Sequence, residues 1–173
     1  MLECELKFRI EDLQGLASRL EGMGVVLSVP AHEENRIMDL PDGSLSNRHV
    51  LLRVRSTEDR TILTVKAPAP SPGMKIRREL EAEVSCPPSQ LIEMLSVLGF
   101  SVSREYSKTR RKGVLGEAVL CLDSLWFGEF LEIEARTPEA VEEAVASLGL
   151  DRSAGLSETY IELERKALED RDA

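Results

Sequence analysis

Seven short segments of this chain carry charged side chains at alternate positions or read as strands beside those that do, most sharply 3–10 and 130–136, and a period of two is that of a β-strand, whose successive side chains point to opposite faces. Residues 3–10 place Glu3, Glu5, Lys7 and Arg9 on one face and Cys4, Leu6, Phe8 and Ile10 on the other. Residues 130–136 set Glu132, Glu134 and Arg136 against Leu131, Ile133 and Ala135. Arg53 and Arg55 share a face within 50–55, Thr64 and Lys66 within 61–66, and Lys108, Arg110 and Lys112 within 106–112. Segments 77–84, with Arg77, Glu79 and Glu81, and 118–123, ending on Asp123, complete the set.

Two architectures accommodate such a pattern. An antiparallel sheet with one solvated face is the ordinary one. Exposed strands, however, favour threonine and mixed polar residues, and like charges two apart repel without benefit. Carboxylate pairs and guanidinium pairs here fall on different strands, as they would on one shared, enclosed face. The second architecture is a closed barrel with charge inside and an apolar outer wall covered by helices. Paired glutamates on such an inner face hold hard cations such as Mg²⁺ or Mn²⁺ through oxygen, and lysine and arginine hold phosphate oxygens. The alternation alone leaves both architectures open.

Three of the strands are each followed by an amphipathic helix that closes on glycine, a loose internal repeat. Apolar residues recur at helical spacing at Leu13, Leu16, Leu20 and Met23, at Leu91, Met94, Leu95 and Leu98, and at Val141, Val145 and Leu148; Gly24, Gly99 and Gly149 follow. Thr137 before Pro138, and Pro87 and Pro88 before Ser89, are helix-start signals. A fourth helix is expected over 157–167, with a frayed charged end at 169–172. Residues 41–44 and 67–73 read as loops, the second as a plain connector or as a flap over a site. Nothing reads as a linker, so 1–173 is expected to be a single domain with a core of about 1–166 and a short charged tail.

Composition narrows the function classes. With 22 Lys and Arg against 31 Asp and Glu, a formal charge of −9 and 4% aromatic residues, a basic nucleic-acid footprint and base-stacking platforms are both disfavoured. At 42% hydrophobic and 31% charged, the chain is neither a disordered acidic segment nor a membrane protein. The N-terminus is charged where a signal peptide needs an apolar run, so the expected location is cytoplasmic. Cys4, Cys86 and Cys121 lack CxxC spacing, which indicates neither a disulfide framework nor zinc; Cys4 and Cys121 read as small core residues. His32 and His49 lack HExxH spacing, and no glycine-rich nucleotide loop of the common types is present.

Glu3-x-Glu5-x-Lys7 resembles the ExExK signature of the CYTH superfamily, the triphosphate tunnel metalloenzymes. The rest of the chain is similar to that family in order: Asp39, Leu52-Arg53-Val54-Arg55, Thr64-Val65-Lys66 before a proline loop, Arg77-x-Glu79-x-Glu81, Lys108-x-Arg110, Leu122-Asp123 and Gly128-x-Phe130-x-Glu132-x-Glu134. The similarity covers 1–166. It implies an α+β fold: a closed eight-stranded antiparallel β-barrel with a charged interior and flanking amphipathic helices, binding triphosphates with divalent metal. The opening Glu5-Leu6-Lys7-Phe8-Arg9, the His32-x-Glu34-Asn35 run and residues 157–163 look closest to the class IV adenylyl cyclase branch. Thr159-Tyr160 stands where that branch often has Ser-Tyr.

The resemblance implies metal ligation by Glu3, Glu5, Glu132 and Glu134, with Glu79, Glu81 and Asp123 completing the metal shell or orienting the basic residues. It implies a phosphate clamp of Lys7, Arg53, Arg55, Lys66, Lys108 and Arg110, with Arg77 pairing Glu79, Glu81 or the phosphates. The reaction centre would fall among Glu5, Lys7, Lys66, Arg110 and Glu134, while Asp39 supports a turn or touches ligand. The plain alternative for each is a surface ion pair. Three activities fit: a cyclase converting ATP to cyclic AMP and pyrophosphate, a triphosphatase acting on thiamine triphosphate or inorganic tripolyphosphate, and a polyphosphate-binding module without turnover. No dedicated strong base stands out, so positioning and electrostatic stabilisation would supply most of the rate. The expected partners are a nucleoside or other organic triphosphate, or tripolyphosphate, with no nucleic acid and no membrane; a homodimer through apolar patches is left open.

Overall fold

The computed structural model describes residues 2–69 and 75–171, with backbone only at Lys75. Its strands are β1 (Leu2–Ile10), β2 (Ala31–Asp39), β3 (Leu51–Ser56), β4 (Thr61–Pro68), β5 (Lys75–Val84), β6 (Ser101–Leu115), β7 (Ala118–Leu125) and β8 (Gly128–Ala135). The helices are α1 (Leu13–Gly22), α2 (Ser44–Asn47), α3 (Pro88–Val97), α4 (Pro138–Ser147) and α5 (Tyr160–Arg171), with a 3₁₀ turn at Arg152–Ala154. The strands hydrogen-bond in the order β1-β5-β4-β3-β2-β6-β7-β8, and β8 pairs back with β1. The eight-stranded antiparallel sheet therefore rings round on itself, with helices beside it, as the α+β expectation required. Most of the loop expected over 67–73, and with it the flap reading, lies outside the described residues.

Seven of the eight strands stand where the alternation put them, and β2 does not follow from it. Its buried side chains include Glu33, Asn35 and Asp39 as well as Ile37 and Met38, so hydrophobicity never alternates along it. The helices begin and end for local reasons. Asp12 accepts from the Gly15 amide at 2.8 Å to start α1, and Thr137 accepts from Ala140 at 3.3 Å to start α4. Gly99 and Gly149 follow α3 and α4 with φ of 93° and 61°, a region costly for any residue with a Cβ. The fourth expected helix begins at Tyr160, three residues late, because Thr159 and Glu162 close a capping box: the Thr159 amide donates to Glu162 at 2.7 Å and the Glu162 amide to the Thr159 hydroxyl at 3.3 Å. It continues to Arg171, past the expected end.

The described residues group into two compact units. The first holds β3, β4, β5, α2, α3, β2 from His32 and β6 as far as Ser107. Leu91 and Leu95 of α3 pack on Met38, Leu52 and Val54, with Cys86 partly buried beside them. Met94 and Leu98, part of the expected apolar stripe, stay exposed, because only the Leu91–Leu95 edge of the helix meets the sheet. Asp39 serves a turn: its carboxylate accepts from the amides of Leu40, Leu45 and Ser46 at 2.8, 3.0 and 3.1 Å and from the Ser46 hydroxyl at 2.5 Å.

Although its burial works the other way, the Ser46 hydroxyl and these amides hold the Asp39 carboxyl below its ordinary value. A depressed carboxyl stabilises the fold above its unfolded pKa of about 3.9 and loses that contribution as the pH falls through the folded value. Asp39→Ala should therefore cost about 1–3 kcal/mol at neutral pH, and its melting curve should converge with that of the parent protein in acid. Melting curves taken from pH 7 to pH 3 check both parts; a constant gap would remove Asp39 from this role.

The second unit holds β1 from Glu3, α1, β6 from Lys108, β7, β8, α4 and α5. Helices α1 and α4 lie against β7 and β8, burying Leu16, Ala17 and Leu20, and Ala140, Val141, Ala144 and Val145. Along β1, six consecutive residues from Glu3 to Phe8 are buried, charged and apolar alike. A sheet with one solvated face cannot bury both sides, so the enclosed charged face is the architecture adopted.

Candidate functional site

Strand pairing in the second unit puts opposite and like charges side by side. Lys7 stands opposite Glu132, Glu5 opposite Glu134, and Arg110 opposite Asp123. Lys7 Nζ reaches Glu132 at 2.9 Å, Glu5 at 3.4 Å and the Glu158 carbonyl at 3.2 Å, so its three N–H groups all have partners. Asp123, with no exposed surface, accepts from Lys108 Nζ at 2.9 Å, Arg110 Nε at 2.6 Å and the Tyr160 hydroxyl at 2.7 Å. The Arg110 guanidinium also donates to Glu132 and lies 3.7 Å from Glu134. Glu3 is buried two residues along β1 from Glu5, on the same side.

These neighbours set the protonation states. Burial favours neutral forms throughout, yet Lys7, Lys108 and Arg110 together hold the Glu132 carboxyl well below its usual range, and Lys108 and Arg110 lower that of Asp123. Against the pull of burial, Glu132 and Glu5 raise the Lys7 ammonium. Burial and the Glu132 and Asp123 carboxylates push the Tyr160 phenol far up, so it stays protonated and donates to Asp123. Cys121 lies opposite Glu132 on this charged face rather than in the apolar layer; it is fully buried, which pushes its thiol up and leaves it neutral and inert.

The first unit carries a second buried charged face. Arg55 Nε donates to Asn35 at 3.2 Å and stands 3.5 Å from Glu33. Arg53 donates to the Thr64 hydroxyl at 3.3 Å, which in turn donates to Glu81 at 3.1 Å. Lys66 pairs with Glu79 at 3.2 Å. Arg77 is half-buried on β5 at the parity of Glu79 and Glu81. Arg53, Arg55 and Lys66 are each 6% exposed.

The expected site residues thus fall into two groups. Glu3, Glu5, Lys7, Lys108, Arg110, Asp123, Glu132 and Glu134 come together in one unit, and Arg53, Arg55, Lys66, Arg77, Glu79 and Glu81 in the other. The surface ion-pair alternative fails for the buried members and holds best for Glu81, which is exposed, as are Lys112, Arg9 and Arg136 at the strand ends. Sequence reasoning missed Glu33, Asn35, Glu158 and Tyr160 as participants. Parity along β2 would have placed Glu33 and Asn35 on the face of Asp39; no signal marks a backbone carbonyl such as that of Glu158.

A divalent metal fits the second unit by its donor chemistry. Glu5 and Glu134 are like charges directly opposed on paired strands, an arrangement that a cation between them relieves. The named carboxylates there outnumber the named cations five to three, an excess that matches one divalent ion. Among the described residues no three His, Cys, Asp or Glu are grouped to cage a metal by themselves. Mg²⁺ commonly takes only one or two carboxylates and completes its shell with water and phosphate oxygens, so a full protein cage is not needed. Asp123, its oxygens already engaged by three donors, suits the orienting role better than the metal shell.

The CYTH domain profile matches residues 1–162. A search of the curated proteins finds no match. Among solved structures, a Pyrococcus horikoshii protein is 28% identical, with a TM-score of 0.78 over 93% of this chain and 98% of its own. A protein named as a candidate adenylate cyclase from Vibrio parahaemolyticus is 19% identical, with a TM-score of 0.80 over 95% and 98%. A candidate adenylyl cyclase from Hippeastrum, described as having a dominant triphosphatase activity, is 18% identical, with a TM-score of 0.69 over 95% of each chain. The fold is that of the CYTH proteins. The chain belongs to the CYTH family, whose members act on triphosphates with the help of metal.

Proposed function

We propose that this protein is a divalent-metal-dependent enzyme acting on triphosphates, and that its reaction is the class IV-type conversion of ATP to cyclic AMP and pyrophosphate. The observation that carries the reading is the burial of six cations, Lys7, Arg53, Arg55, Lys66, Lys108 and Arg110, none more than 6% exposed. Buried charge is costly and apolar residues would fill the same space at less expense to stability, so a polyanionic ligand is the reason to keep it. Each unit by itself presents cations of the kind that take phosphate oxygens: Lys108 and Arg110 in the second, and Arg53, Arg55 and Lys66, with Arg77 beside them on β5, in the first. Lys7, its donors engaged within the protein, contributes charge close to Glu5 and Glu132. Glu3, Glu5 and Glu134 hold Mg²⁺ or Mn²⁺, with Glu132 beside them; Glu79 and Glu81 steer Lys66 and Arg53. When bound, the metal neutralises charge that develops on the phosphate oxygens.

Cyclisation is favoured because the nucleophile, a ribose hydroxyl, arrives with the substrate. Both histidines are exposed, and the carboxylates with a resolved shift at the site are held ionised and weakly basic. The second reading, hydrolysis of thiamine triphosphate or tripolyphosphate, is supported by the activity named for the Hippeastrum protein. A binding module without turnover is a poorer account, since it would not need opposed glutamates. No described helix is long and apolar enough to cross a membrane, and all three cysteines are free, which supports the proposal of a cytoplasmic enzyme. The test is product analysis with Mg²⁺ or Mn²⁺ and, separately, ATP, thiamine triphosphate and tripolyphosphate. Cyclic AMP with pyrophosphate is the expected result; orthophosphate release selects hydrolysis, and binding without product overturns the enzyme reading.

A further inference from the structure

The first turn of α5 lies against the charged face of the second unit, and Tyr160 is the side chain that meets it. Tyr160 is 5% exposed, and Phe130 and Phe127 hold its ring at centroid distances of 5.3 and 6.4 Å. Lys7 Nζ and Lys108 Nζ stand 4.3 and 4.9 Å from the ring centroid. The hydroxyl donates to Asp123 Oδ2 at 2.7 Å. The approach to the helix is fastened to the same strand, since the Leu156 amide donates to the Lys7 carbonyl at 2.7 Å and the Glu158 carbonyl accepts from Lys7 Nζ at 3.2 Å. Farther along, Trp126 donates to Glu164 at 2.7 Å and the Arg171 guanidinium sits over the Trp126 ring at 5.6 Å.

One ring here performs two tasks that no apolar residue combines. Its face is electron-rich and attracts both ammonium groups, while its hydroxyl donates to the carboxylate that orients Lys108 and Arg110. A residue needed only to fill space would require no hydroxyl and would gain nothing from two ammonium neighbours. We propose that Tyr160 is a positioning residue of the triphosphate site: its ring sets where the Lys7 and Lys108 ammonium groups stand, and its hydroxyl sets Asp123 and, through it, Arg110. The functional half of this inference rests on the phosphate-clamp reading of Lys108 and Arg110 above; the placement of the two lysines does not.

The test compares the full chain with Tyr160→Phe and Tyr160→Leu. Proton–carbon spectra of lysine Cε report placement directly, because the ring current moves the signals of any lysine held over the ring. Two shifted lysine signals are expected in the parent protein and in Tyr160→Phe, and their loss in Tyr160→Leu. Calorimetry with tripolyphosphate alone should show affinity falling about tenfold in Tyr160→Leu and about threefold in Tyr160→Phe. In turnover assays KM should rise by matching factors while kcat moves less. Shifted signals retained in Tyr160→Leu overturn the proposal, as does tripolyphosphate affinity equal to that of the parent. If Tyr160→Leu does not fold, unchanged tripolyphosphate affinity in Tyr160→Phe overturns it. Should the parent protein bind no tripolyphosphate, the phosphate reading fails by itself, and the lysine signals still decide whether Tyr160 places the ammonium groups.

Discussion

Alanine at Glu5 or at Glu134 is expected to leave a folded protein whose metal-dependent turnover of triphosphates falls at least about a hundredfold. The two carboxylates face one another across the β1–β8 pair, and the cation described beside each keeps other partners when it is removed. Without Glu5, Lys7 keeps Glu132 at 2.9 Å and the Glu158 carbonyl at 3.2 Å. Without Glu134, Arg110 keeps Asp123 and Glu132. Removing one of two opposed like charges relieves repulsion, so the melting temperature should hold or rise slightly while catalysis fails. Initial rates across a titration of Mg²⁺ or Mn²⁺, alongside thermal melts, measure both quantities. Parent-level activity in both variants would take these residues out of the metal shell.

Asp123→Ala is expected to do the reverse, striking stability first. The carboxylate is buried completely and receives Lys108, Arg110 and Tyr160. Its removal leaves two buried cations short of their main counter-charge, and breaking a buried ion pair from one side costs about 3–5 kcal/mol. For a chain of this size that lowers the melting temperature by about 10 °C or more. Asp123→Asn, which keeps an acceptor oxygen but not the charge, should lose less. Urea and thermal unfolding of both variants check the ordering; an alanine variant that melts with the parent would show that the Lys108 and Arg110 charges are solvated or paired elsewhere. The two sets of substitutions together separate carboxylates kept for chemistry from one kept to hold the basic side chains in place.

Much of this was open to reading in advance because a strand writes its faces into its sequence. Parity alone put Glu5 with Lys7, Arg53 with Arg55 and Glu132 with Glu134, and helical spacing with Thr137 and the closing glycines outlined α1, α3 and α4. β2 escaped that reading because its buried side holds Glu33, Asn35 and Asp39, and an inward polar face has no hydrophobic period to detect. The start of α5 differs for another reason: the Thr159–Glu162 capping box spans four residues, finer than the apolar pattern that announces the helix.

Residue order established which charges share a strand face, and that is a purely local property of alternating side chains. Whether that face meets water or is enclosed depends on the β8–β1 pairing of strands more than a hundred residues apart in sequence, which no local period encodes. The same long-range pairing chose partners: it set Glu134 opposite Glu5 and Glu132 opposite Lys7, and the return of the chain after α4 brought Tyr160 and the Glu158 carbonyl onto Lys7. Charge on a strand is a matter of sequence, whereas the dielectric and the neighbours that give it a function arise only when distant segments close around it.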